Sequence, residues 1–91
     1  MYIVIFITVS NKKEAKRIAA GLIRNKLAAC VNIVDKIESF FWWQGKVDKA
    51  KEMLLIAKSK KQNLNRIIKF VKSQHSYDLP EIIALPVIAG Y

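Results

Sequence analysis

The sequence predicts an α+β domain with elements in the order β, α, β, β, α, β, and three observations lead to this prediction. The run at residues 2–9 is almost wholly apolar, β-branched and aromatic, which is typical of a central strand buried on both faces. Two later segments repeat apolar residues every three or four positions, which is typical of helices that bury one side. Between them, Gln44-Gly45 separates two β-rich arms and indicates a hairpin, because glycine supplies the positive φ of a tight turn.

The composition indicates one globular domain, residues 1–91, since 53% of the residues are hydrophobic and 25% are charged. A single cysteine fits a reducing compartment. The run at 2–9 is too short to span a bilayer and follows no basic segment, so we expect neither a membrane anchor nor a secretion signal. The default expectation is a cytoplasmic protein.

The first helix is predicted over residues 11–26. Asn11 and Glu14 have the spacing of a capping box, in which each side chain satisfies a free amide of the first helical turn. Gly21 lies inside this helix at a cost of about 1 kcal/mol relative to alanine, which favours a close approach to a neighbouring element. The apolar stripe consists of Ala15, Ile18, Ala19, Leu22 and Ile23.

The hairpin arms are predicted over 28–43 and 46–58. Fully extended at about 3.3 Å per residue, the first arm would reach about 50 Å, which is long for a domain of this size. The arm must therefore bend, bulge or project, and Asp35, Lys36 and Glu38 break its alternation where a bend is expected.

The second helix is predicted to open with a capping box formed by Ser59 and Gln62. Its apolar stripe, which His75 extends by one turn, consists of Leu64, Ile67, Ile68 and Val71. A last strand follows at 81–88, where Pro86 indicates a sheet edge or a bulge. This order of elements is that of a ferredoxin-like βαββαβ sandwich, whose helices cover one face of the sheet and leave the other open.

Four consecutive aromatic residues, Phe40, Phe41, Trp42 and Trp43, lie beside the predicted turn. Successive residues of a strand point to opposite faces, so one small domain could hardly bury all four. We interpret them as a subunit interface, where aromatic side chains anchor binding. The alternative is the end of a core packed under the sheet.

Cys30 and His75 are the candidate metal ligands, because thiolate and imidazole suit copper or zinc. They are 45 positions apart and form no CxxC or HxxxH pattern, so a small buried cysteine and a polar helix-end histidine are the alternative interpretation. Asp78 and Glu81 have no neighbouring nucleophile and base, and no glycine-rich phosphate loop is present. We therefore expect a protein that is not an enzyme.

The net charge of +9, from 16 basic and 7 acidic residues, favours association with anions. RNA-recognition domains share this order of elements, but they stack bases on aromatic side chains of their central strands. Here the third strand reads Met53-Leu54-Leu55-Ile56 at its centre and offers no such aromatics. A general surface charge is the better interpretation, and a nucleic-acid partner is not expected.

Three segments together resemble the CutA divalent-cation tolerance family: LAACVN at 27–32, SFFWWQGK at 39–46 and HSYDLPEII at 75–83. The resemblance covers almost the whole chain. It implies a ferredoxin-like protomer with a long central hairpin, assembled as a tight homotrimer without secure catalytic activity. It also implies a role in tolerance of divalent metals, notably copper.

The same resemblance matches Cys30 and His75 with the family's cysteine and histidine. Ile7 and Gln74 stand where some bacterial members carry an additional cysteine and histidine that have been linked to metal binding. The family trimer is similar to the P-II signalling proteins, which implies as an alternative a sensor of a small ligand that acts through a protein partner. Family members usually continue past residue 91 into a short helix, so a truncated or unusually short chain is expected.

Overall fold

A computed structural model, which describes all 91 residues, contains one four-stranded antiparallel sheet and two helices. The strands are β1 (Tyr2–Val9), β2 (Cys30–Trp43), β3 (Lys46–Lys60) and β4 (Ile82–Pro86). The helices are α1 (Lys12–Arg24) and α2 (Leu64–Gln74), and a 3-10 turn at Lys61–Asn63 precedes α2. The strand order is β2-β3-β1-β4, which confirms the predicted ferredoxin-like sandwich.

Strand β1 lies in the middle of the sheet, between β3 and β4. Its side chains on one face are buried beneath the helices, in a core that includes Leu22, Leu55 and Ile67. Those side chains are Ile3, Ile5, Ile7 and Val9. The opposite face of β1 is only partly covered, so the prediction of burial on both faces is wrong for one face of a single chain.

The Asn11 half of the predicted capping box is confirmed, because the Asn11 side chain accepts a hydrogen bond from the Glu14 amide at 2.8 Å. The Glu14 half is wrong, since the Glu14 carboxylate accepts from the Ser76 hydroxyl instead. The helix ends at Arg24, two residues before the predicted end, since Lys26 takes a left-handed conformation with φ of 56°. A Cβ placed on Gly21 would overlap Cζ of Phe70 and lie 2.9 Å from its Cε2. The glycine therefore permits the close contact of α1 with α2.

The capping box predicted for the second helix is wrong. Ser59 belongs to β3 and is buried; its hydroxyl donates to the Leu27 carbonyl at 2.5 Å and accepts from the Asn63 amide side chain at 3.2 Å. Helix α2 begins at Leu64 with no side-chain cap. His75 does not extend this helix either, because its backbone is already extended, with φ of −87° and ψ of 142°.

The hairpin has the predicted turn and the predicted irregularity. Gln44 and Gly45 have φ of 51° and 75°, the positive values that a two-residue hairpin turn requires. The register shifts between Val34 and Ile37, where Lys36 has φ of 59°, which confirms a bulge in this stretch. Strand β4 is shorter than predicted, and its position at the edge of the sheet explains how it accommodates a proline.

Candidate functional site

The four aromatic residues of the hairpin are exposed in the single chain. The exposed fractions are 66% for Phe40, 41% for Phe41, 75% for Trp42 and 60% for Trp43. Each is paired across the hairpin with a residue of β3 next to the turn, from Lys49 to Lys46. They do not form the end of a core within one chain, and the interpretation as a subunit interface stays a prediction.

The face of the sheet opposite the helices is a second uncovered apolar surface, which we call the open face. On this face, alternate residues of the paired strands β1 and β3 lie side by side. The pairs are Val4 with Lys58, Phe6 with Ile56 and Thr8 with Leu54. On the flanking strands, Val34, Ile83 and Leu85 are 40%, 47% and 44% exposed. An uncovered apolar face on a small domain is typical of an interaction surface.

A buried polar cluster surrounds His75 at the end of α2. The His75 side chain is fully buried, and its Nε2 lies 2.7 Å from the Thr8 carbonyl oxygen. Because a carbonyl can only accept, Nε2 carries the proton. The other nitrogen, Nδ1, accepts from the Tyr77 amide at 3.0 Å. The ring is therefore held as the Nε2–H tautomer, with both nitrogens in hydrogen bonds to the backbone.

Glu14 extends this cluster toward α1. Its carboxylate is almost fully buried, accepts from the Ser76 hydroxyl at 3.2 Å and lies 3.9 Å from the Arg17 guanidinium. The distance from Glu14 Oε1 to His75 Nδ1 is 3.7 Å, too long for a hydrogen bond. Arg17 in turn donates to the Gln74 carbonyl at 2.7 Å, so the cluster joins the start of α1 to the end of α2.

Tyr77 connects the cluster to β3. Its hydroxyl donates to the Glu52 carboxylate at 2.8 Å, and Glu52 is buried at 8% exposure. Loss of solvent, then the hydrogen bond and negative charge of Glu52, and finally the charge of Glu14 raise the pKa of Tyr77 from 10.0 to about 12. The phenol is therefore a hydrogen-bond donor at neutral pH and not a general base.

Cys30 lies apart from this cluster, at the start of the edge strand β2 and exposed to solvent. Its Sγ is 4.0 Å from the Lys58 ammonium, which also donates to the Asn32 side chain. Lys58 pairs with Val4, whereas His75 bonds to Thr8, four residues further along β1 or about 13 Å. The structure thus does not bring Cys30 and His75 together, and the chain contains no group of three or more potential metal ligands.

Comparison with known proteins gives the family. Residues 3–91 match the model of the CutA1 divalent ion tolerance protein family. The chain belongs to this family. None of its helices combines the length and apolar character needed to cross a membrane.

Relatives from several kingdoms share the CutA1 sequence and fold. The chain is 51% identical over 88 residues to the chloroplastic protein CutA 1 of Oryza sativa, covering 97% of this chain and 50% of that protein. It is 41% identical to the CutA1 structure from Thermus thermophilus, with a TM-score of 0.99 over 100% of this chain and 88% of the other. It is 44% identical to the CutA structure from Archaeoglobus fulgidus, with a TM-score of 0.97 over 100% and 88%.

The expectation of a cytoplasmic location is wrong. The Oryza relative is named chloroplastic, and the Archaeoglobus protein is described as the periplasmic divalent cation tolerance protein. The family thus occurs outside the cytoplasm, and a single unpaired cysteine does not determine the compartment. The chain spans about half the length of the Oryza relative.

Four residues of the polar cluster, Thr8, Glu14, Glu52 and Tyr77, were not predicted as site residues. The sequence pattern assigns the Glu14 side chain to the helix cap, whereas in the structure its carboxylate accepts from Ser76. Glu52 offered the clearest signal, because it directly precedes the apolar run that forms the core of β3. A carboxylate at the end of such a run is buried only with a partner, and here the partner is Tyr77.

Proposed function

We propose that this CutA1-family protein acts in the response to divalent cations as a homotrimer without enzymatic activity. The observation that carries the proposal is the uncovered apolar surface formed by the open face and the four hairpin aromatics. Burying this surface against other copies of the chain removes it from water and gives the projecting hairpin a partner. Membership of a divalent ion tolerance family supports the role in the response to cations.

Light scattering at micromolar concentration tests the assembly. The proposed trimer has a mass of about 31 kDa, three times the 10.4 kDa of one chain. A mass of one chain would contradict it.

We propose divalent metal binding, with copper as the first candidate, at a site shared between subunits. One chain lacks three ligands in one place, so a second chain would have to contribute. Cys30 supports this proposal better than His75, because its thiol is exposed. A metal at His75 would first have to displace the Thr8 carbonyl or the Tyr77 amide from the ring.

Calorimetric titration with Cu²⁺ and Zn²⁺ tests the metal proposal. We expect Cys30→Ser to weaken binding, since the hydroxyl preserves the shape and is a far poorer ligand. His75→Asn tests the second candidate ligand, with light scattering to check that the assembly persists. Binding that is absent, or unchanged in both variants, would remove both residues from the metal site.

A sensor of a small ligand is the second candidate function, and one observation favours it. A groove of about 1030 Å³ lies between the end of α1, the end of β3 and the C-terminal segment. Apolar side chains and three lysines, Lys26, Lys58 and Lys60, line the groove, which suits an anionic organic molecule. A thermal-shift comparison of nucleotides with metal salts distinguishes the two functions, because each predicts stabilisation by a different class of ligand.

A further inference from the structure

The outer surface of the two helices carries charge of a single sign. Helix α1 has five basic residues and one acidic residue, and α2 has three basic residues and no acidic one. The one acidic residue is Glu14, which is 3% exposed and turned toward Ser76. The helical layer is therefore cationic and presents no accessible carboxylate.

Six cations of this layer have no carboxylate within salt-bridge distance, whereas Lys12 pairs with Asp35 and Arg17 with Glu14. The six are Lys13, Lys16, Arg24, Arg66, Lys69 and Lys72. At 3.6 residues per turn, those of each helix lie within about one third of its circumference. All six are exposed, so each helix presents a basic stripe to solvent.

The two stripes have the dimensions of a nucleic-acid contact. Lys13 and Arg24 are about 16 Å apart along α1, at 1.5 Å per residue. Helix α2 lies beside α1 through the contact of Gly21 with Phe70, and packed helices are about 8–10 Å apart. A duplex carries about one negative charge per 1.7 Å of its axis, so it presents about ten phosphates along this length.

The chemistry of the layer distinguishes among polyanions. Single strands are bound by stacking on aromatic side chains, and the one aromatic residue of the helices, Phe70, is partly buried against the core. Anionic membranes are bound by helices that insert apolar side chains, and Ile23 is the only large apolar residue exposed on either helix. We infer that the helical layer binds the phosphate backbone of a nucleic-acid duplex without reading its sequence.

The inference departs from the sequence-based expectation of no nucleic-acid partner. That expectation rested on the lack of base-stacking aromatics on the central strands, whereas backbone contacts require only cations. This mode of binding also leaves the open face and the hairpin free for the proposed subunit contacts. Each copy of the chain in an assembly would present its own helical layer.

Fluorescence anisotropy of the full chain with a labelled mixed-sequence DNA duplex tests the inference. The test variant is Lys16→Gln/Lys69→Gln, one exposed lysine from each helix. The matched control is Lys36→Gln/Lys51→Gln, which removes the same charge from exposed positions outside the helices and outside the lysine-lined groove. Circular dichroism and light scattering check that all three proteins share fold and assembly.

We expect measurable binding at low salt that weakens steeply as salt rises. The test variant should lose roughly tenfold in affinity, and the slope of log affinity against log salt should fall in magnitude by about 1.8, from 0.9 per lost phosphate contact. The control should keep the slope of the unmodified protein.

Three outcomes would overturn the inference. The first is no binding at low salt, and the second is an equal loss in the test and control variants, which would mean general charge and no site. The third is tighter binding to a single strand of the same length or to vesicles containing phosphatidylglycerol. That result would assign the surface to another polyanion.

Discussion

At the scale of single residues, the Tyr77 phenol makes the cluster sensitive to alkaline pH. Its pKa is raised to about 12, so the folded protein holds the phenolic proton more tightly than the unfolded chain does. The resulting stabilisation is complete below about pH 10 and is lost as pH rises from 10 to 12. Subtracting the tyrosinate absorbance titration of Tyr77→Phe from that of the unmodified protein should leave a transition near pH 12. A transition near pH 10 would contradict the hydrogen bond to Glu52.

Ser59 is a residue whose small side chain has a large structural role. Its buried hydroxyl satisfies the Leu27 carbonyl, so Ser59→Ala leaves a buried acceptor without its partner. We expect a loss of about 1–3 kcal/mol in the free energy of unfolding, measured by urea denaturation at fixed protein concentration. Ser73→Ala is the matched control, because the Ser73 hydroxyl also donates to a carbonyl, that of Phe70, but at an exposed position. Equal effects of the two changes would argue against the buried bond.

At the scale of secondary structure elements, the packing of α1 on α2 depends on a residue without a side chain. Gly21→Ala should raise helix propensity by about 1 kcal/mol but create an overlap with the Phe70 ring, at a cost of about 1–3 kcal/mol. We expect a net loss of stability in urea denaturation. In a Phe70→Leu background the overlap is relieved, so the same change should stabilise. Additive effects in the double variant would contradict a direct contact.

In the hairpin turn, one substitution is expected to raise the stability of the protein. Gln44 occupies a left-handed conformation that costs most residues about 1–2 kcal/mol and that asparagine tolerates. Gln44→Asn should therefore raise the melting temperature, whereas Gly45→Ala should lower it. If the melting temperature rises in both variants, or in neither variant, the conformation of the turn does not limit stability.

The elements that could be predicted from the sequence are those with local causes. The helix start at Asn11 and the turn at Gln44-Gly45 depend on residues that are neighbours in the chain. Ser59 has the same local signal as Asn11, yet its hydroxyl bonds to a residue 32 positions away. Pattern alone cannot separate these two cases, because the competing partner exists only once the sheet has formed.

At the scale of the whole molecule, the same distinction between local causes and distant partners applies to the predicted site residues. The exposure of the hairpin aromatics follows from strand alternation and their number, which the sequence contains. The separation of Cys30 from His75 follows from the register of β1 with β3, which pairs Val4 with Lys58 and Thr8 with Leu54. The burial of His75 depends on the Thr8 carbonyl, 67 positions away. Ligand types could therefore be predicted, but not their arrangement.

The last prediction concerns the assembly as a whole. Phe40 and the other three aromatics are exposed in the chain, so replacing two of them should leave the protomer core intact. We expect Trp42→Ser/Trp43→Ser to raise the dissociation constant of the assembly at least 100-fold, because buried tryptophans at interfaces each contribute about 2 kcal/mol or more.

Sedimentation equilibrium measures this change, with circular dichroism as the check on folding. Leu79→Ser/Ile88→Ser is the matched control, since these apolar residues are 92% and 95% exposed but lie outside both the hairpin and the open face. An unmodified oligomeric state in the tryptophan variant would contradict the proposed interface. So would equal dissociation in the control, because any loss of exposed apolar surface would then be sufficient. Dissociation confined to the tryptophan variant would show that the hairpin, whose four aromatic residues are exposed in one chain, is stabilised by its neighbours.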